Sequence, residues 1–191
     1  MKKILLVFSL LAFTVMLFSF AADKRIIVID AGHGGADEGA KFNKVIEKDI
    51  SLKIAHYIKK LNRSENVEIL LTRTDDASVS LSERTEFINK INPEMVISLH
   101  LNNTAGNPSK NGPEIFFQEN ETSKTLATEL SEKFEGCKIS FQNLHILRES
   151  KSPALILELG FMSNEADRAR LSSDEGQREI AEKILGFIGE K

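Results

Sequence analysis

Short apolar, β-branched runs alternate along this chain with longer stretches in which apolar positions recur every three to four residues. That alternation predicts an α/β sandwich with a largely parallel sheet. Strands are read at Arg25 to Asp30, Val67 to Thr72, Met95 to Leu99, Glu114 to Phe117 and Ala154 to Leu159. Their apolar runs are nearly continuous, as expected of strands covered by helices on both faces. Between them, Ile50, Ile54, Ile58 and Leu61 mark one face of a helix from about Glu47 to Leu61. A second helix opens at the capping box Ser80-Leu81-Ser82-Glu83 and ends before Pro93. A third carries Leu126, Leu130 and Phe134 and stops at Gly136, and the last begins near Ser172 and packs Ile180, Ile184, Leu185 and Ile188.

The first residues follow a different pattern. Met1-Lys2-Lys3 precedes an apolar run from Ile4 to Phe20 and a small-residue site at Ser19-Phe20-Ala21, the plan of a cleaved signal segment over residues 1–21. An uncleaved membrane anchor is the alternative reading of the same run. What remains, about 170 residues, suits one domain over residues 25–191 that buries about two thirds of the surface of its unfolded chain. Losing Lys2 and Lys3 but no acid moves the formal charge from −3 to −5, which disfavours nucleic acid as a partner. The single cysteine, Cys137, excludes an internal disulfide, so the fold must rest on its core.

Candidate chemistry sits where strands end. His33, His100 and Glu158 each come at or near the carboxyl end of an apolar run, the side of an open α/β sheet on which ligands bind. His33 lies in Asp30-Ala31-Gly32-His33-Gly34-Gly35, where glycines permit a sharp turn. The same segment lacks the third glycine and the Gly-Lys-Ser/Thr of a phosphate loop. Two histidines at strand ends suit zinc, which in catalytic sites takes three protein ligands of imidazole and carboxylate type and leaves a fourth position open. Spacing alone does not choose the carboxylate among Glu47, Asp37 and Glu38, because acidic residues are common at helix starts. Glu158, inside Ala154-Leu155-Ile156-Leu157-Glu158-Leu159, would be costly to bury without a task or a cation, and fits a general base. Arg73, Arg148 and Asn102 are candidate substrate contacts, while His56 reads as half-exposed helix surface and His145 as either structural or functional.

Taken together, IDAGHGG, Glu47-Lys48-Asp49, LLTRTDD, SLSER, ISLHLNN and LELGFMSN resemble, in order and spacing, the zinc-dependent N-acetylmuramoyl-L-alanine amidases of the third amidase family. The resemblance runs from about Arg25 to the C-terminus. It implies a twisted sheet of about six strands with helices on both faces, one zinc ion held by His33, Glu47 and His100, and Glu158 as catalytic residue. It also implies a peptidoglycan substrate, cut between N-acetylmuramic acid and L-alanine in the periplasm or outside the cell, and a substrate-side arginine at Arg148. Only about twenty residues separate His100 from the helix after Glu121, too few for the inhibitory helix that some members carry. The expectation is therefore a monomer that needs no activator protein.

Overall fold

The computed structural model describes residues 24–104 and 107–191. The expected signal segment, residues 1–21, lies outside them. In chain order the elements are β1 (Arg25–Ala31), β2 (Lys41–Phe42), β3 (Val45–Ile46), α1 (Glu47–Leu61), β4 (Val67–Leu71), α2 (Leu81–Ile91) and β5 (Met95–Asn102). There follow β6 (Glu114–Phe117), α3 (Glu121–Ser131), β7 (Lys138–Phe141), α4 (His145–Glu149), β8 (Ala154–Phe161), α5 (Glu165–Ser172) and α6 (Asp174–Gly189). Six strands make one sheet in the order β4-β1-β5-β8-β6-β7, and β2 and β3 form a separate hairpin. The first four run parallel; β6 is antiparallel to β8 and β7 parallel to β6.

The two faces of the sheet are built from alternate residues, because successive side chains on a strand point to opposite sides. Ile27, Ile29, Ile97, Leu99, Leu155 and Leu157 pack with α1, α3 and α6 into the larger core. Val28, Val96, Ala154 and Ile156 face the other way, under Ile88 of α2 and Ile146 and Leu147 of α4. Double coverage explains the unbroken apolar runs of the central strands. The second layer is thinner, since α4 has only five residues, and it leaves part of the sheet face open.

Continuing the same alternation beyond the apolar rows places Asp30, Ser98, His100 and Glu158 on the α2–α4 face. Register brings Asp30 beside Ser98, Ser98 beside Ile156, and His100 directly beside Glu158. Both β5 and β8 run further than their apolar patterns suggest, to Asn102 and Phe161, so these polar residues lie inside the ladder. The last helix, expected to begin near Ser172, is α6, which starts at Asp174 behind the cap Ser173, whose hydroxyl accepts from Gly176 N at 3.0 Å; the short α5 before it ends at Ser172. α3 ends at Ser131, and Gly136 (φ 68°) follows a further turn that keeps Phe134 buried.

The opening of α2 forms one wall of the cleft described below, and its capping box is complete. Ser80 Oγ accepts from Glu83 N at 3.3 Å, and Glu83 Oε2 accepts from Ser80 N at 2.8 Å. Ser80→Ala should cost about 1 kcal/mol, the usual value of such a cap, and lower the denaturation midpoint in urea; an unchanged midpoint would show that the cap adds nothing.

Candidate active site

The site begins where β1 ends. Gly32 brings the main chain so close to β5 that a Cβ there would lie 2.5 Å from His100 Cε1. His33 then takes φ 59°, a left-handed conformation that costs a residue with a Cβ of order 1 kcal/mol or more. Two buried arginines hold it there. Arg73 donates from Nε to Ala31 O at 2.9 Å and from a terminal nitrogen to Gly32 O at 2.8 Å. Arg84 of α2 donates to Ala31 O at 2.7 Å and also to His33 O. Three consecutive carbonyls are thus gripped by two planar donors, a task for which guanidinium is suited and ammonium is not.

Arg84 is itself anchored to Asp30 Oδ1 at 2.6 Å. Burial would raise the Asp30 carboxyl, yet the Arg84 charge and the hydroxyls of Ser98 and Thr72 hold it below the usual carboxylate range. Ser98 Oγ donates to it at 2.6 Å and Thr72 Oγ1 at 2.6 Å. An acid this enclosed must be fully bonded to persist.

Glu47 is the first residue of α1 and is only 3% exposed. The β2–β3 hairpin, with Asn43 at φ 55°, turns the chain back so that Ala40 N donates to Glu47 Oε2 at 2.6 Å. Leu101 N donates to Oε1 at 2.9 Å. Gly39 (φ 66°) gives the pair room, because a Cβ there would meet both Glu47 Oε2 and His33 Cδ2 at 2.6 Å. Glu47 Oε1 then stands 3.0 Å from His33 Nε2 and 3.0 Å from His100 Nδ1. On its far side, His33 Nδ1 is 2.8 Å from Asp37 Oδ2, which fixes the ring's orientation.

The electrostatics follow. Burial alone would raise Glu47, but hydrogen bonds from His100 and His33 pull its carboxyl down to about 2. Burial alone would lower His33, but the Glu47 and Asp37 carboxylates push it up to about 9. The group is a trap for positive charge, and a metal ion must compete with that proton because ligation needs the neutral imidazole. One atom from each of His33, Glu47 and His100 lies within 4.8 Å of the others. Two imidazoles and one carboxylate with an open side match the donor chemistry of a catalytic zinc site.

Glu158 faces His100 across the β5–β8 ladder, and its Oε2 is buried without a hydrogen-bond partner. Burial pushes its carboxyl up to about 7; the His100 charge opposes this, and the Glu47 and Glu114 carboxylates add to it. His33, His100 and Glu158 line one cleft of about 660 Å³ that extends over the open sheet face between α2 and α4. Glu47 closes the group from behind.

The other residues singled out from sequence fall elsewhere. Arg73 is buried, with its donors spent on the carbonyls of residues 31, 32, 48 and 75, so it is a positioning residue and not the expected substrate contact. Asn102 donates to Glu114 Oε2 at 3.2 Å and is not among the residues lining the cleft. Arg148 is an exposed residue on α4, bonded to Glu149 and Asn143, while its neighbours Leu144, His145 and Ile146 line the cleft. His56 is exposed on α1 and stands 3.1 Å from Thr74 O. The sequence reading missed the roles of Asp30, Arg84 and Asp37. For Asp30 a signal was present: an acid closing the run RIIVID calls for a buried cation by the same argument applied to Glu158.

An α/β fold that gathers two imidazoles and two sequestered carboxylates at the mouth of one cleft has the build of a hydrolytic enzyme. The chain belongs to the N-acetylmuramoyl-L-alanine amidase family, whose sequence profile matches residues 27–190. It is 31% identical over 175 residues to the uncharacterized protein YqiI of Bacillus subtilis (strain 168), covering 86% of this chain and 83% of YqiI. Over 164 residues it is 34% identical to the N-acetylmuramoyl-L-alanine amidase CwlM of Bacillus licheniformis, covering 81% of this chain but only 64% of the length of CwlM. Among solved structures, the catalytic domain of the amidase CwlV from Bacillus (Paenibacillus) polymyxa var. colistinus superposes with a TM-score of 0.82 at 31% identity, covering 87% of this chain and 97% of that domain. The CwlD amidase of Clostridioides difficile, solved in complex with the GerS lipoprotein, gives 0.81 at 28% identity, covering 87% of this chain and 98% of CwlD.

Arg84→Lys keeps a charge beside Asp30 but cannot reach both carbonyls. It should weaken zinc binding by roughly 10- to 100-fold, as for other groups that orient metal ligands, while the metal-free chain stays folded. Competition against a chromophoric chelator measures this, and undiminished affinity would remove Arg84 from the account.

Proposed function

We propose that the chain is an exported zinc amidase that hydrolyses the amide between the lactyl group of N-acetylmuramic acid and L-alanine in peptidoglycan, freeing the stem peptide. Family membership supports the bond, and the donor set His33, Glu47 and His100 supports the metal. The observation that carries the catalytic reading is Glu158, a sequestered carboxylate with an unpartnered oxygen beside His100.

A bound zinc ion supplies Lewis acidity toward the amide carbonyl and toward water. The chain's own residues do the rest. His33, Glu47 and His100 hold the ion, Asp37 fixes the His33 ring, and the two arginines fix its backbone. Glu158 accepts the proton of the attacking water and delivers it to the alanine nitrogen as the C–N bond breaks. A carboxyl pushed up to about 7 is matched to both halves of that transfer near neutral pH.

The same reading takes residues 1–21 as a cleaved signal segment and residues 25–191 as the catalytic domain, a monomer that works without an activator. Support for the last point is that, among the described residues, the segment between His100 and α3 contains β6 and no helix. No helix of the described residues is long and apolar enough to cross a membrane.

Glu158→Gln should bind zinc as the native chain does and release free stem peptide from purified sacculi about 10²- to 10⁴-fold more slowly, the usual contribution of a general acid–base group. Retained activity would overturn the role of Glu158. Mass spectrometry of the native digest separates this reading from a peptidase or deacetylase, since only the amidase yields peptides that begin at L-alanine.

A further inference from the structure

The cleft does not stop at the metal ligands. It continues over the sheet between the start of α2 and α4, and the wall of this arm is apolar: Val79, Leu81, Leu144, Ile146 and Ile156. Leu81 is 57% exposed and Leu144 41%, and among the described residues only Phe42 and Phe141 join them as exposed large apolar side chains. Two of the four thus stand on the rim of one cleft, a placement that marks a binding surface.

The charges of this arm select among the parts of the substrate. Its lining holds the carboxylate of Glu83 and the hydroxyls of Ser78 and Ser80, while Asp37 sits at the metal-ligand end, 2.8 Å from His33 Nδ1. No lysine is among the described lining residues, and the one arginine, Arg84, is buried and bonded to Asp30. His145 also lines the arm, with a buried Nε2 that has no partner in the protein. A stem peptide carries free carboxylates, which would meet Glu83 where the one nearby guanidinium, Arg84, is already paired with Asp30. A glycan strand whose muramic carboxyls are tied up in amides is neutral. Its pyranose rings present apolar C–H faces to leucine and hydroxyl donors to the Glu83 carboxylate and the serines.

We propose that this arm is the glycan subsite: N-acetylated pyranose rings lie against Leu81 and Leu144, and the stem peptide projects away from it. The inference rests on the amidase reading above and assigns one side of that site.

The test uses the full enzyme and the variant Leu81→Ala/Leu144→Ala, which alters exposed side chains only. Glycan strands freed of peptide and with their lactyl carboxyls capped as simple amides, and free stem peptide, serve as competing inhibitors of sacculus digestion. Losing contact with two leucines should raise KM for sacculi and weaken inhibition by glycan strands, each about tenfold, with kcat and inhibition by stem peptide unchanged. Weakened inhibition by stem peptide with glycan inhibition intact would overturn the proposal and give the arm to the peptide. Unchanged inhibition by both would also overturn it. If the native enzyme released no peptide beginning at L-alanine yet bound glycan strands through these leucines, the amidase reading would fail and the sugar subsite would stand.

Discussion

The grip of two buried guanidinium groups on the carbonyls of Ala31, Gly32 and His33 is the interaction on which the rest of the site depends. His33 occupies a backbone conformation that a free chain would rarely choose, and it persists only because its surroundings over-determine it. Arg73 approaches from the end of β4 and Arg84 from α2, so the two layers of the molecule meet at the ligand loop. Burying two cations next to each other carries a cost, and burial together with the Arg84 charge lowers the Arg73 pKa. Asp30 neutralises one charge; carbonyl dipoles solvate both. The arrangement exchanges stability for a fixed ring position, which metal ligation requires to within fractions of an ångström.

Glycines carry the complementary half of this design. The arginines pull the loop inward, and Gly32 and Gly39 let it arrive, since any Cβ at either position would collide with His100, His33 or Glu47. Glu47 shows the same economy: each of its oxygens is fixed by a main-chain N–H, leaving one oxygen shared by both imidazoles. Among the buried carboxylates of the site, Glu158 is the exception to full satisfaction. An unpartnered carboxylate oxygen beside a metal-ligand group and open to the cleft is what a reacting group looks like before its substrate arrives.

Much of this was legible in the sequence, and the limits have physical causes. The central strands announced themselves because both faces are buried, and α1 and α2 because each shows one apolar stripe to the core. Strand β7 was missed because Lys138, Ser140 and Phe141 are exposed at an edge and carry no pattern, and α4 because five residues are too few for a period. Both histidines and Glu158 stand out in the sequence by a general argument, that titratable groups at the carboxyl ends of apolar strands need a reason. The choice of Glu47 needed family resemblance, since a helix-opening acid is ordinary until a hairpin folds Ala40 against it. Arg73 was misread because an arginine after a strand looks the same whether it meets substrate or backbone, and only the tertiary position of the β1 carbonyls decides.

The central claim is that His33, Glu47 and His100 hold one zinc ion while Glu158 stays free to act. Anomalous diffraction at the zinc edge from crystals of the metal-loaded enzyme tests it most directly. The account predicts one peak about 2.0 to 2.2 Å from His33 Nε2, His100 Nδ1 and a Glu47 oxygen, with Glu158 outside that sphere. A peak elsewhere, or one ligated by Glu158, would contradict it.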